Sequence, residues 1–318
     1  MIIDMHCDTL LNLRTKECDL ENVKGHISLD KLIQSNYLVQ CFAVFTYLKY
    51  VKEPKKYVRE MIDAFKYNMN KFSDKIKQVY SYEDIIKNKE NNIISALLTI
   101  EELGVIHEVE ELDDLYKEGV RMATLTWNFA NDFAYPAWEY IGKDTPPIVQ
   151  PKKGLTEKGI KLVKRMEELG IIIDVSHLND EGIYDILKYT TKPFVASHSN
   201  ARSICDCPRN LPDDLLLKMK ERGCVIGMNF CPDFVKENSN NVFLIDDLIK
   251  HIDYLKNLIG IDYIGLGSDF DGIEGNLEIK DASFMPKLIK KLKDHGYSED
   301  DIEKITYKNV LNLFKKVL

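Results

Sequence analysis

Eight short β-rich apolar runs, separated from one another by segments of helical periodicity, constrain this chain more than any other feature of its sequence. They are MIIDMHCD at 1–8, YLVQCFAVFT at 37–46, NIISALLTIEE at 92–102 and VRMATLTWN at 120–128. GIIIDVSH at 170–177, KPFVASHS at 192–199, GCVIGMNF at 223–230 and YIGLGSDFDG at 263–272 complete the set. Near-continuous Val, Ile and Leu suit parallel strands buried on both faces. Between them, 155–169 puts Ile160, Val163, Met166 and Leu169 on one helical face, and Gly170 supplies a stop. The segment 243–259 repeats the pattern through Leu244, Leu248, Ile252 and Leu255, and 299–316 closes the chain in the same way. Alternation of this kind predicts an α/β fold, a (β/α)8 TIM barrel spanning 1–318 as a single domain. A doubly wound open sheet is the alternative, because counting strands does not show closure. One connection is unusually long: residues 129–154, with Trp138 and Pro146–Pro147, are read as a wall or lid over the site.

Composition narrows the function classes. The chain has 318 residues, 45% of them apolar and 30% charged, with a formal net charge of −8 spread along its length. Nucleic acid or an anionic membrane would need a basic stripe, which is missing, so neither is expected as a partner. No apolar run is long enough to span a bilayer. MIIDMHCDTL does not read as a secretion signal. Seven cysteines, an odd number in a chain of this size, argue against a disulfide framework and for a reducing, cytoplasmic setting.

The decisive pattern is where the polar residues fall. His6 and Asp8 end the first run, Glu101 the third, His177 the fifth, His198 the sixth and Asp269 the eighth. In a parallel barrel all these ends converge on the C-terminal rim, where such folds build active sites. A lone histidine or acid after a strand is ordinarily a loop hydrogen-bonder or a helix cap; six on one rim are not. Imidazole with carboxylate suits zinc and its neighbours rather than magnesium or calcium. On an extended segment His6 and Asp8 share a side and can grip one ion. His177 and His198, from adjacent strands, can grip a second, and Glu101 can bridge the pair. Two such ions make the water between them acidic enough to attack as hydroxide. His26, His107, His251 and His295 lie away from the strand ends and are read as surface or packing residues. Glu102 should be turned away by alternation.

At these residues the chain resembles the membrane (renal-type) dipeptidase family, the zinc peptidases of family M19, over essentially its whole length. DMHCDTL, TIEELG, DVSHL, ASHSNAR, CPRNLPDD and GSDFDG carry the likeness. The H-x-D opening also separates the chain from related amidohydrolases that open H-x-H. The resemblance implies a zinc-dependent dipeptidase with two Zn2+ per chain: His6, Asp8 and Glu101 on one, and Glu101, His177 and His198 on the other. It implies that Asp269 shuttles the proton and that Arg209 grips the carboxylate of the substrate's C-terminal residue, with tolerance of a D-residue there. A possible homodimer and a cytoplasmic, bacterial-type member are further expectations. After TLT, mammalian members carry a histidine that helps hold the scissile carbonyl. Here Trp127 stands in its place, followed by Asn128, and both are expected on the substrate. Competing readings are a metallohydrolase of the same fold acting on a lactone, a cyclic amide or an N-acyl amino acid, and a non-catalytic metal-containing binding protein.

Overall fold

Each of the eight runs forms a strand. In the computed structural model, which describes residues 1–141 and 145–318, they are β1 (Ile2–Asp4), β2 (Tyr37–Phe45), β3 (Ile94–Glu101), β4 (Val120–Thr124), β5 (Ile172–Asp174), β6 (Val195–Ala196), β7 (Val225–Met228) and β8 (Ile264–Leu266). Every strand pairs in parallel with the next. β8 pairs with β1 through Leu266 and Asp4, which closes the barrel and rules out the open sheet. A ninth strand, Ile76–Gln78, extends the edge of β3 and has no counterpart among the predicted runs.

The helices follow from their patterns. Glu157–Leu169 is capped by Thr156, whose side chain accepts from Gly159 N, and it ends at Gly170 in the left-handed region. Ile245–Leu258 buries Leu248, Ile252 and Leu255 as expected, whereas Leu244 precedes the helix and is exposed. The last segment is not one regular helix: Glu299–Glu303 and Asn309–Val317 flank a π turn over Lys304–Lys308. Val310, Leu313 and Phe314 pack into one apolar cluster with Ile3, Val39, Leu97, Met122, Ile172, Val195 and Val225. Several of these open their strands, so the terminal helix covers the end of the barrel opposite the rim.

Residues 129–154 are more ordered than a bare loop. Trp138–Glu139 pairs antiparallel with Ile148–Val149, and Ala137 N donates to His177 O at 2.7 Å, tying the excursion to the rim. Residues 142–144 of this segment lie outside the described ones. All seven cysteines are free. Among the described residues no helix is long and apolar enough to cross a membrane.

Candidate metal centre and active site

The strand ends carry the six expected residues to one place. His6 Nε2 lies 3.4 Å from Asp8 Oδ2, 3.4 Å from Glu101 Oε2 and 3.8 Å from Asp269 Oδ1. On the other side of the same carboxylate, Glu101 Oε1 is 2.9 Å from His177 Nε2 and 3.6 Å from His198 Nε2. Glu101 thus turns one oxygen to each histidine group. His6–Asp8–Glu101, Glu101–His177–His198 and His6–His198–Asp269 each gather ligand atoms within 4.8 Å of one another.

The polar surroundings of these side chains suit a cation. His177 Nδ1 faces Asn128 Oδ1 at 3.0 Å and must donate to it. Ser197 Oγ donates to Asp174 Oδ2, which leaves it to accept from His198 Nδ1 at 2.7 Å. Both rings therefore keep the lone pair on Nε2, yet those nitrogens face each other at 3.1 Å with Glu101 Oε1 alongside. Burial, with the Arg209 and His6 charges adding to it, holds both imidazoles well below their usual pKa and thus neutral. Converging lone pairs repel unless a positive ion lies among them. Among the described residues, His6 Nε2 and Asp8 Oδ1 are also buried without a hydrogen-bond partner. The residues present fit a divalent metal.

Backbone geometry pays for the convergence. His177 and Asp269 have φ values of 69° and 63°, in the left-handed region that side chains rarely adopt. Two buried aspartates clip the strand ends in parallel fashion. Asp4 Oδ1 accepts from Ser268 N at 2.8 Å and Oδ2 from Ser268 Oγ at 2.6 Å, binding the end of β1 to the end of β8. Asp174 Oδ1 accepts from Ser197 N at 2.8 Å and Oδ2 from Thr124 Oγ1 at 3.0 Å, binding β5 to β6 and β4. Neither was singled out in the sequence, although an aspartate inside III-D or MII-D is a visible interruption of an apolar run. Asn229 was missed as well: its Nδ2 donates to Asp269 Oδ2 at 3.0 Å. Burial raises the Asp269 pKa, with His6 acting against it.

The site opens into a cavity of about 790 Å3 lined by Asp8, Glu101, Trp127, Asn128, His177, Arg209 and Asp269, among others. Arg209 is buried; among the described residues its Nε has no partner, and its only direct bond is a long one from Nη2 to His198 O at 3.4 Å. Asn210 shapes that loop by donating to Cys205 O and Phe234 O. Glu102 points away from the centre: its carboxylate accepts from Gly104 N, Trp127 N and Asn131 Nδ2 at 2.8, 2.9 and 2.7 Å. The other histidines stay apart. His107 is exposed beside Asp132, and His295 is exposed. His251 is buried between Val235 O and Ala201 N, and His26 accepts from Asp271 N.

A family model described as membrane dipeptidase (peptidase family M19) matches residues 1–318. The chain belongs to that family. An uncharacterized dipeptidase of Schizosaccharomyces pombe is 33% identical over 99% of this chain and 80% of its own length. The dipeptidase aclJ of Aspergillus oryzae is 31% identical over 96% of this chain and 73% of its own. Among solved structures, a metallo peptidase from Rhodobacter sphaeroides, liganded with a phosphinate mimic of the dipeptide L-Ala-D-Ala, superposes with a TM-score of 0.90. It is 23% identical, with 100% of this chain and 99% of that one covered, so that likeness speaks for the fold. As a member of the M19 family the chain is a metal-dependent dipeptidase.

Proposed function

We propose that this M19 dipeptidase works with two zinc ions, one held by His6, Asp8 and Glu101 and the other by Glu101, His177 and His198, with Glu101 shared. Three imidazoles with carboxylates favour zinc over magnesium or calcium. Bound there, the metal would polarise the scissile carbonyl and make water a stronger nucleophile. The remaining steps belong to the protein. Asp269, buried and held by Asn229, takes a proton and returns it to the departing amine. Trp127 and Asn128 line the same cavity, Asn128 also fixing the His177 ring.

Arg209 carries the choice of substrate. A buried guanidinium with an unmatched Nε in a cavity beside the metal centre needs an anion, and a planar fork matches a carboxylate best. A free carboxylate at a fixed distance from the reacting carbonyl describes a dipeptide and excludes longer chains. Metal-replete protein is expected to cleave Ala-Ala and to use Ala-Ala amide and tripeptides poorly. Arg209→Ala should raise KM for Ala-Ala, while Asp269→Asn should lower kcat with metal content retained. Equal rates on the dipeptide, its amide and a tripeptide would sink the role of Arg209. Full turnover by the Asn variant would remove Asp269 from the proton path.

A further inference from the structure

The cavity has two chemically different walls. Phe45 and Tyr47, from the end of β2, and Trp127, from the end of β4, form one of them with Tyr140. The Trp127 ring meets Phe45 and Tyr47 at centroid distances of 5.1 Å each, both edge-on, and Tyr140 at 5.8 Å. It also stands 6.0 Å from the His177 ring, beside the metal centre. Among the described lining residues from Phe45 to Tyr140, Glu101 is the only charged one, and its oxygens are turned to the histidines. The other wall holds Arg209, Asp206, Asp233, Lys236 and Glu237 from the segments after β6 and β7, with Asp269 after β8. In a closed ring of eight strands, β2–β4 lie across from β6–β8.

This asymmetry orients a substrate, and the argument rests on the dipeptide reading above. Arg209 takes the carboxylate and Asp269 the amide nitrogen, so both groups of the C-terminal residue lie against the charged wall. The residue that contributes the carbonyl is then directed to the wall across the ring. We propose that Phe45, Tyr47, Trp127 and Tyr140 form the subsite for the N-terminal residue and select dipeptides whose N-terminal side chain is aromatic or large and apolar. Ring edges and faces offer such a side chain contact beyond simple burial. A charged side chain would lose water there, and the charges beside this wall are already engaged: Asp8 and Glu101 face His6, and the exposed Lys49 donates from Nζ to Tyr140 O.

The wall is also set in place before any substrate arrives. Glu102 sits at φ 91°, a strained value that its three accepted hydrogen bonds hold, and one of those bonds is from Trp127 N. Asn131, which donates to the same carboxylate, also donates to Leu125 O, so the turn bearing Trp127 is fixed at both ends.

The test is kcat/KM on two dipeptide series, X-Ala and Ala-X, with metal-replete protein. Phe-Ala should exceed Asp-Ala and Lys-Ala by about tenfold or more. Trp127→Ala should cut the Phe-Ala to Ala-Ala ratio about tenfold, and Trp127→Phe should restore most of it. The Ala-Phe to Ala-Ala ratio should stay within about twofold in both variants, since the two walls act independently. Tyr140 is 42% exposed, so Tyr140→Ala leaves the fold intact and should lower the same N-terminal ratio. Equal rates for Phe-Ala, Asp-Ala and Lys-Ala, or variants that move both ratios together, would overturn the subsite while leaving the dipeptidase reading standing. A metal-replete protein that cleaves neither series would overturn both.

Discussion

Glu102 stands beside Glu101 in the chain and faces the other way, and the two carboxylates do opposite work. Glu101 turns its oxygens into the centre; Glu102 spends its own on two backbone amides and an asparagine behind it. Burial pushes the Glu102 pKa up to about 7, with the bonds from Trp127, Asn131 and Gly104 acting against the rise. The folded pKa is therefore above the unfolded one. In between, the folded state holds a proton that the unfolded state has released, so stability falls as pH rises through about 7. A rise from 4.5 to about 7 corresponds to about 3 kcal/mol, all of it present below the unfolded pKa. Glu102→Gln cannot ionise and should lack this slope. Urea unfolding of the chelated wild type and variant from pH 5 to 8 would show it, chelation removing any cation held beside the neighbouring Glu101. The variant should gain on the wild type as pH rises, and parallel curves would mean that Glu102 does not titrate in the fold. Sequence alone placed Glu102 away from the site through alternation. Its three partners, and its φ of 91°, depend on residues up to 29 positions distant and were not legible.

Strand ends are the elements that build the site, and they were the most legible part of the chain. Each apolar run became a strand, and His6, Glu101, His177, His198 and Asp269 were found by asking which residue type ends a run. Buried parallel strands announce themselves by composition, so this much needed no tertiary information. The strand Ile76–Gln78 is short, alternates buried and exposed, and was invisible for that reason. The pairing of Trp138–Glu139 with Ile148–Val149 inside the long excursion is only two residues on each side and left no period to read. Also hidden was how closely strand ends approach across the barrel. A Cβ on Gly267, just after β8, would lie 1.7 Å from Ser197 O and 3.3 Å from the Cα of His198. The neighbour is backbone, which cannot rotate aside, and it leads directly into His198 of the cluster. Gly267→Ala should therefore cost about 3 kcal/mol or more, beyond ordinary overpacking, and lower metal content together with stability. Chemical denaturation and elemental analysis of the purified variant would check both. Wild-type values for each would show that the Ser197–His198 segment has room to move.

At the scale of the whole molecule, the centre joins segments that are far apart in the chain. His6 and Asp8 follow β1, while Glu101, His177, His198 and Asp269 come from the ends of β3, β5, β6 and β8. Five of the eight strands thus end on one cluster, and without cations that cluster crowds buried carboxylates and converging lone pairs together. Metal bound there would stabilise the folded chain, having no comparable site in the unfolded one. A ligand present at a hundred times its dissociation constant adds about 2.7 kcal/mol. For a chain of this size each kcal/mol moves the midpoint by roughly 1.5 °C, so chelation should lower Tm by roughly 4 °C for each ion lost. Zinc should restore the loss and magnesium should not, because magnesium prefers an all-oxygen shell that three imidazoles do not provide. The barrel itself should survive chelation, since its apolar clusters and its strand ladder do not pass through the centre. Differential scanning calorimetry of zinc-loaded, chelated and magnesium-treated protein, with far-ultraviolet circular dichroism before heating, measures each part of this. An unchanged Tm on complete zinc removal would mean that the ions are not held among these strand ends. Loss of the helical signal on chelation would make the metal a condition of folding rather than a clasp on a finished barrel.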